Sequence, residues 1–180
     1  MSDAFTEILR SWQTFYFTIG GAAAALLGLM FVAVSLALPV ITTGISADMK
    51  AFVNPSVYYF VSELALVFVL LVPSYDPLIL GLLLIVGGVP GLAFTLRHAR
   101  QLVRVARRAQ DFNLGDWLSQ IILPVGAYAL IAVGGLCFVG RQWSLGFATL
   151  WIGSVLLLLC AIANTWSLVL WIVEQKFGAG

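Results

Sequence analysis

Apolar residues in this 180-residue chain neither alternate nor form narrow stripes. They gather into five long runs, at about 14–40, 52–72, 77–96, 118–139 and 145–173, separated by short polar segments. A helix rises 1.5 Å per residue, so about 20 apolar residues span the hydrocarbon core of a bilayer. The core face of a soluble helix needs only a stripe. The pattern therefore predicts an all-α, polytopic integral membrane protein, with five transmembrane helices in one compact bundle and a single domain over 1–180. The gaps carry loop chemistry: Thr42, Thr43, Gly44, Ser46, Asp48 and Lys50 in the first, and Pro73–Ser74–Tyr75–Asp76–Pro77 in the second. The third gap is long and basic, and Gly140–Arg141–Gln142–Trp143 makes the fourth.

Composition sharpens this picture. Only 9% of residues are charged and 62% are apolar, with a mean hydropathy of +1.05. A soluble domain carries about a quarter charged residues, so there are too few here to wet a globule, and the lipid bilayer is the expected partner. The first apolar run far exceeds the 7–15 residues of a secretory signal's apolar region and reads as the first membrane helix. Trp12, Tyr75 and Trp143 fall at span ends on one side, Trp117 and Trp171 on the other, as amphipathic rings do at membrane interfaces. Cys137 and Cys160 both lie in apolar runs and read as free thiols.

Net charge is only +1, but its distribution is uneven. Five crossings put Arg10 and Arg141 on one side, and Lys50, Arg97, Arg100, Arg104, Arg107, Arg108 and Lys176 on the other. The positive-inside rule assigns the larger set to the cytoplasm. The expectation is a bacterial cytoplasmic membrane, with the amino terminus outside and the carboxyl terminus inside. So strong a bias argues against antiparallel pairs inserted both ways, and no duplicated half suggests an inverted repeat.

Burying apolar surface between helices gains little in lipid, so close packing relies on small residues. Gly20, Ala24 and Gly28 recur at four-residue spacing in the first run, with Gly21 and Ala25 beside them. Gly87 and Gly91 repeat the spacing around Pro90, where a kink is expected because proline lacks a backbone donor. Gly134, Gly135 and Gly153 are further close-approach candidates. These faces suit either the chain's own bundle or contacts within a homo-oligomer.

Glu63 is the most informative single residue, because an ionised carboxylate near mid-membrane costs several kcal/mol. Ser56, Tyr59 and Glu63 share one helical face, and the next positions on it, Leu66, Val67 and Leu70, are apolar. One reading is a pore or proton-binding site, with the apolar residues as a hydrophobic gate. The other is a protonated Glu63 hydrogen-bonded to a small polar face on the fifth helix, made by Cys160, Asn164 and Ser167.

Arg97, Arg100, Arg104, Arg107 and Arg108 occupy an arc of about 100° on a helix of 3.6 residues per turn, with Leu102, Val103, Val105, Ala106 and Ala109 opposite. This predicts a cytoplasmic amphipathic helix at about 97–110, its basic face on anionic lipid headgroups. The same arginines would also suit the vestibule of an oligomer or an acidic protein surface. His98 is the only histidine, so no histidine-based metal site is visible. No nucleophile elbow, Walker loop, zincin motif or CxxC occurs. No enzymatic activity, cofactor, metal or nucleic-acid partner is expected.

The run at 15–36, FYFTIGGAAAALLGLMFVAVSL, resembles the opening span of a group of small uncharacterised bacterial multi-span membrane proteins. Phe52–Val53–Asn54–Pro55 and Asn164–Thr165–Trp166–Ser167–Leu168 are also similar to segments of that group. Some members carry the label modulator of FtsH protease. The resemblance implies a bacterial membrane and supplies no active-site residues. Two functions follow as expectations. One is a homo-oligomeric channel or pore-like protein of unknown ion selectivity, with Ser56, Tyr59 and Glu63 lining or gating it. The other is a non-conducting regulator or accessory subunit of a membrane protease or other complex.

Overall fold

The computed structural model describes residues 3–37, 47–72, 76–109 and 118–177. These form five α-helices: α1 (Asp3–Ala37), α2 (Ala47–Leu71), α3 (Pro77–Ala109), α4 (Leu123–Val139) and α5 (Trp143–Phe177), with a π-helical turn at Leu118–Ile122 leading into α4. The protein is all-helical across the described residues. Three stretches, Ala4–Leu36, Pro77–Arg100 and Trp143–Leu170, are long and apolar enough to cross a membrane. Pro55–Leu71 and Leu123–Val139 are apolar but shorter. Three of the five crossings expected from the sequence are thus met by helix length and composition.

Local chemistry sets the helix ends. Asp76 Oδ1 accepts a hydrogen bond from the Leu78 backbone N–H at 2.8 Å, and Pro77 fills the first helical position of α3, where a missing N–H costs nothing. Between α4 and α5, Gln142 N–H donates to Cys137 O at 2.8 Å and Arg141 N–H donates to Phe138 O at 3.1 Å. This pair is the Schellman closure of a helix. It needs a left-handed residue at its turning point, and Arg141 supplies it with φ 60°, not the preceding Gly140. The π-helical turn lies just before Pro124, whose ring would clash with the carbonyl four residues back in a regular helix. α2 continues helical through Pro55, and α3 through Pro90, whose side chain faces outward.

α3 packs along α4, α4 along α5, and α5 against both α2 and α1. α2 also packs on α1 but touches α3 only lightly, although the two are consecutive. The α3–α4 contact is antiparallel and built on glycine: Gly81 meets Gly135, Gly88 meets Ala132, and Gly91 lies under the Tyr128 ring. Gly134 and Gly153 play the same part between α4 and α5, against Leu150 and against Ala127 and Ile131. At one end, Phe5 and Trp12 of α1 pack on Phe138, Trp143 and Phe147 beside the α4–α5 turn. Nearer the other end, Tyr58 stacks on Phe94 with ring centroids 4.0 Å apart, and Phe94 lies parallel to half-buried His98.

Every helix turns large apolar side chains outward: Phe17 on α1, Phe68 on α2, Val86 on α3, Leu136 on α4 and Trp166 on α5 are each at least 60% exposed. The interior, by contrast, holds polar groups. Ser56, Glu63, Thr95, Ser154 and Asn164 are all buried. These polar groups lie within an otherwise apolar core that includes Phe5, Met30, Phe60, Phe138, Phe147 and Leu157, so the chain is apolar inside and out, as a helix bundle in lipid can be.

The small-residue face expected on α1 is only partly used within the chain. Gly20 is buried, and a β-carbon there would stand 2.7 Å from Val67 Cγ1. Ala24 is exposed, and Gly21 and Gly28 face open space. In α3, Gly91 is buried under Tyr128, while Gly87 faces outward. The spacing of four identifies a face, but a helix of 3.6 residues per turn carries that face gradually around its axis. Gly20 therefore meets α2 while Gly28, two turns on, does not.

Candidate functional site: a buried carboxyl among unpartnered hydroxyls

Glu63 sits at the centre of the apolar stretch Pro55–Leu71 and is fully buried. Tyr59, one turn earlier on α2, is also buried, as is Ser56. The stripe that sequence alone assigns to a pore lining thus faces the interior of a single chain. Leu66, Val67 and Leu70, the apolar positions that follow it, are buried as well.

Three other helices converge on the carboxyl. Ser154 of α5 lies beside it, and Tyr16 of α1 and Tyr128 of α4 come close enough to sense its charge. Tyr59 in turn neighbours Cys160 of α5. Tyr128 donates a hydrogen bond from its hydroxyl to Ser62 Oγ at 2.8 Å, tying α4 to α2. The remaining groups are unsatisfied. Both carboxyl oxygens of Glu63 and the hydroxyls of Tyr16, Tyr59 and Ser154 are buried without a hydrogen-bond partner. Ser154 adjoins Glu63, yet their oxygens do not meet in hydrogen-bonding geometry.

This corrects one expectation. Asn164 is buried on α5 but does not cap Glu63, and Ser167 spends its hydroxyl on the Ala163 carbonyl at 3.1 Å. Cys160 belongs to the neighbourhood of Tyr59 instead. The α5 residue that reaches the carboxyl is Ser154, ten positions before Asn164 and nearly three turns away along the helix. Its only trace in the sequence is one hydroxyl inside a long apolar run. Tyr16 carried no more signal, since tyrosine is also common at membrane interfaces.

Beside this centre, the loose α2–α3 contact leaves a cleft of about 140 Å³. Ser62 and Tyr128 form its polar inner wall, and Leu66, Leu84, Gly88 and Ile131 line much of the rest. The arginine run lies on the continuous helix α3, which extends to Ala109. Arg97 and Arg100 are exposed, and the side chains of Arg104, Arg107 and Arg108 lie outside the described residues. Both cysteines are free, Cys160 buried and Cys137 partly so. Among the described residues, no group of three or more histidine, cysteine or acidic side chains could hold a metal ion.

Fold and site together define a class: an all-helical protein with three helices of membrane-crossing length and apolarity, and a single carboxyl enclosed by hydroxyl-bearing helices. No family model matches the chain, and no curated protein or solved structure matches it either.

Proposed function

We propose that the protein spans a bacterial cytoplasmic membrane five times, amino terminus outside and carboxyl terminus inside. In this reading it assembles as a homo-oligomeric channel or pore-like protein whose conduction depends on Glu63. Helix length supports the two shorter crossings. Beyond Lys50, α2 continues as helix to Leu71 for about 31 Å, and the stretch from Leu118 to Val139 covers about 33 Å, against a hydrocarbon core of about 30 Å. Outward-facing Gly21, Ala24 and Gly28 on α1, and Gly87 on α3, support close approach by further copies. The continuous basic helix supports contact with anionic lipid headgroups beyond the third crossing.

The observation that carries the function is Glu63 itself. Ionisable groups within membrane helices are costly, and they commonly mark ion pathways and proton relays. Here the carboxyl is buried in one subunit and no structural hydrogen bond accounts for it. A pathway that uses this carboxyl would have to pass through the subunit interior, not along an axis between subunits.

The test is flux through proteoliposomes loaded with a pH-sensitive or a cation-sensitive dye. Flux in the native protein, lost in Glu63→Gln and Glu63→Ala, supports conduction. Silence in correctly inserted native protein rejects it. A second reading, a non-conducting regulator or accessory subunit, is favoured by the complete closure of Ser56, Tyr59 and Glu63 within one chain. It predicts silent liposomes and a stable hetero-partner on purification from membranes.

A further inference from the structure

We propose that the Glu63 centre is a site for one proton, exchanged with the aqueous phase, and not a site for an alkali-metal cation. The proposal deepens the reading above by naming the ion, and it requires α2 to lie in the membrane; it does not require that the protein conduct.

The first argument is a charge count. The titratable groups facing Glu63 are Tyr16 from α1, Tyr59 on α2 itself, Tyr128 from α4, and Cys160 from α5 by way of Tyr59. All are neutral in their ordinary state, and no described arginine, lysine, histidine or second acid joins them. Arg10 and Arg141 are exposed near one end of the bundle, and Arg97, His98 and Arg100 lie towards the other. A lone buried carboxylate is compensated by one positive charge. A divalent ion would leave an uncompensated charge of its own. The choice is between a proton and a monovalent metal ion.

Hydroxyl bookkeeping decides between them. A metal ion at this centre would draw the lone pairs of Tyr16, Tyr59 and Ser154 toward itself. Each hydroxyl hydrogen would then need an acceptor on its far side. Those oxygens are buried and none of them has a hydrogen-bond partner; only Ser154 adjoins an acceptor, the carboxyl itself. The two tyrosine donors would be left unsatisfied in an apolar medium, at a penalty on the order of 1–3 kcal/mol each.

A proton asks for less. On Glu63 it makes a carboxylic acid, which donates once and keeps acceptor capacity for neighbouring hydroxyls. Adjacent Ser154 can take the donated hydrogen bond after a side-chain rotation. The carboxyl lone pairs then remain for the hydroxyl hydrogens of the neighbouring tyrosines. Removing the proton leaves an ionised acceptor surrounded by potential donors, so the same groups serve both states. The apolar residues Leu66, Val67 and Leu70 close the centre on one side, and Ser56 and Tyr59 extend it on the other.

The test is infrared spectroscopy of the purified protein in lipid nanodiscs, titrated with pH in choline chloride and then with sodium and potassium chloride at constant pH and ionic strength. The expected result is a carboxylic-acid carbonyl band that is absent from Glu63→Gln, shifts in frequency in Ser154→Ala, and is lost at high pH with release of one proton per chain. Sodium and potassium should leave it unchanged. Loss of the band on adding either ion, with release of one proton, would overturn the proposal in favour of a metal site. A carboxylate that stays ionised at every pH at which the protein remains folded would overturn it too. If Glu63→Gln does not fold, Glu63→Asp serves instead: the band must move in that variant, and an unmoved band would assign it to another acid and overturn the proposal. The two readings also fail separately. A titrating Glu63 in silent liposomes removes conduction and leaves the proton site, whereas Glu63-dependent flux without the acid band does the reverse.

Discussion

Gly81 and Gly135 face each other across α3 and α4 so closely that a β-carbon on Gly81 would stand 2.7 Å from the Gly135 carbonyl oxygen, and one on Gly135 would stand 2.8 Å from the Gly81 oxygen. The obstruction in each direction is backbone, which cannot rotate away as a side chain can. Gly81→Ala and Gly135→Ala should each force the helices apart and cost about 1–3 kcal/mol, as overpacking does. Because both changes push on the same contact, the double variant should lose less than the sum of the two. Unfolding by denaturing detergent in mixed micelles measures all three. Full additivity would mean that the helices do not meet at this point.

The Tyr128–Ser62 hydrogen bond links α4 to α2 and closes the inner wall of the α2–α3 cleft. Tyr128→Phe removes the donor while keeping the ring that packs over Gly91. In the same unfolding assay it should cost about 0.5–1.5 kcal/mol, the net worth of a neutral hydrogen bond. Gly91→Ala should cost more, because its β-carbon would enter the Tyr128 ring. The reverse order would show that the polar link, and not ring packing, holds this region.

Much of this architecture is legible in the linear pattern, because apolar run length reports helix length directly. The ends of α2, α3 and α4 fall close to the polar gaps, and the basic run continues α3 as its spacing predicts. What the pattern does not contain is azimuth. Gly81 lies at the start of an apolar run with no small neighbour four residues on, so nothing marked it. Gly28 and Gly87 have the right spacing and face outward. For the same reason Glu63 stands out in the sequence as a carboxyl at mid-span, but whether it faces a pore or the interior, and what surrounds it, does not. Ser154 and Asn164 share a long helix, and only the crossing of α2 and α5 decides which of them it meets.

Azimuth itself can be tested on α1. A side chain at Gly20 would run into Val67, whereas one at Gly28 would meet nothing within the chain. Gly20→Val should therefore lower the stability of the isolated chain in detergent, and Gly28→Val should not. Gly28→Val should instead reduce cross-linking between copies in membranes, where a small residue allows close approach. If Gly28→Val leaves self-association intact, α1 is not the contact face.

Arg141 turns the chain between α4 and α5 at a positive φ, which costs a residue with a β-carbon roughly 1–2 kcal/mol and glycine almost nothing. Its side chain is exposed. Arg141→Gly should raise the thermal midpoint in detergent by a few degrees, corresponding to about 1 kcal/mol net of the greater freedom of glycine in the unfolded chain. A lower midpoint would reveal a stabilising contact made by the guanidinium.

Glu63 sets stability against function. A buried polar group with no partner costs about 1–3 kcal/mol, and an unbranched apolar side chain of similar length avoids that cost. Glu63→Met should therefore stabilise the protein by an amount in that range while abolishing any Glu63-dependent flux. Smaller Glu63→Ala should stabilise less, because it leaves a cavity among Leu66, Tyr59 and Ser154. Thermal unfolding in one detergent, read beside the liposome assay, orders the three proteins. A residue kept for packing would give the opposite order, with the native protein most stable. Gain of stability with loss of flux would show that the carboxyl is retained against the interest of the fold, as groups that carry function commonly are.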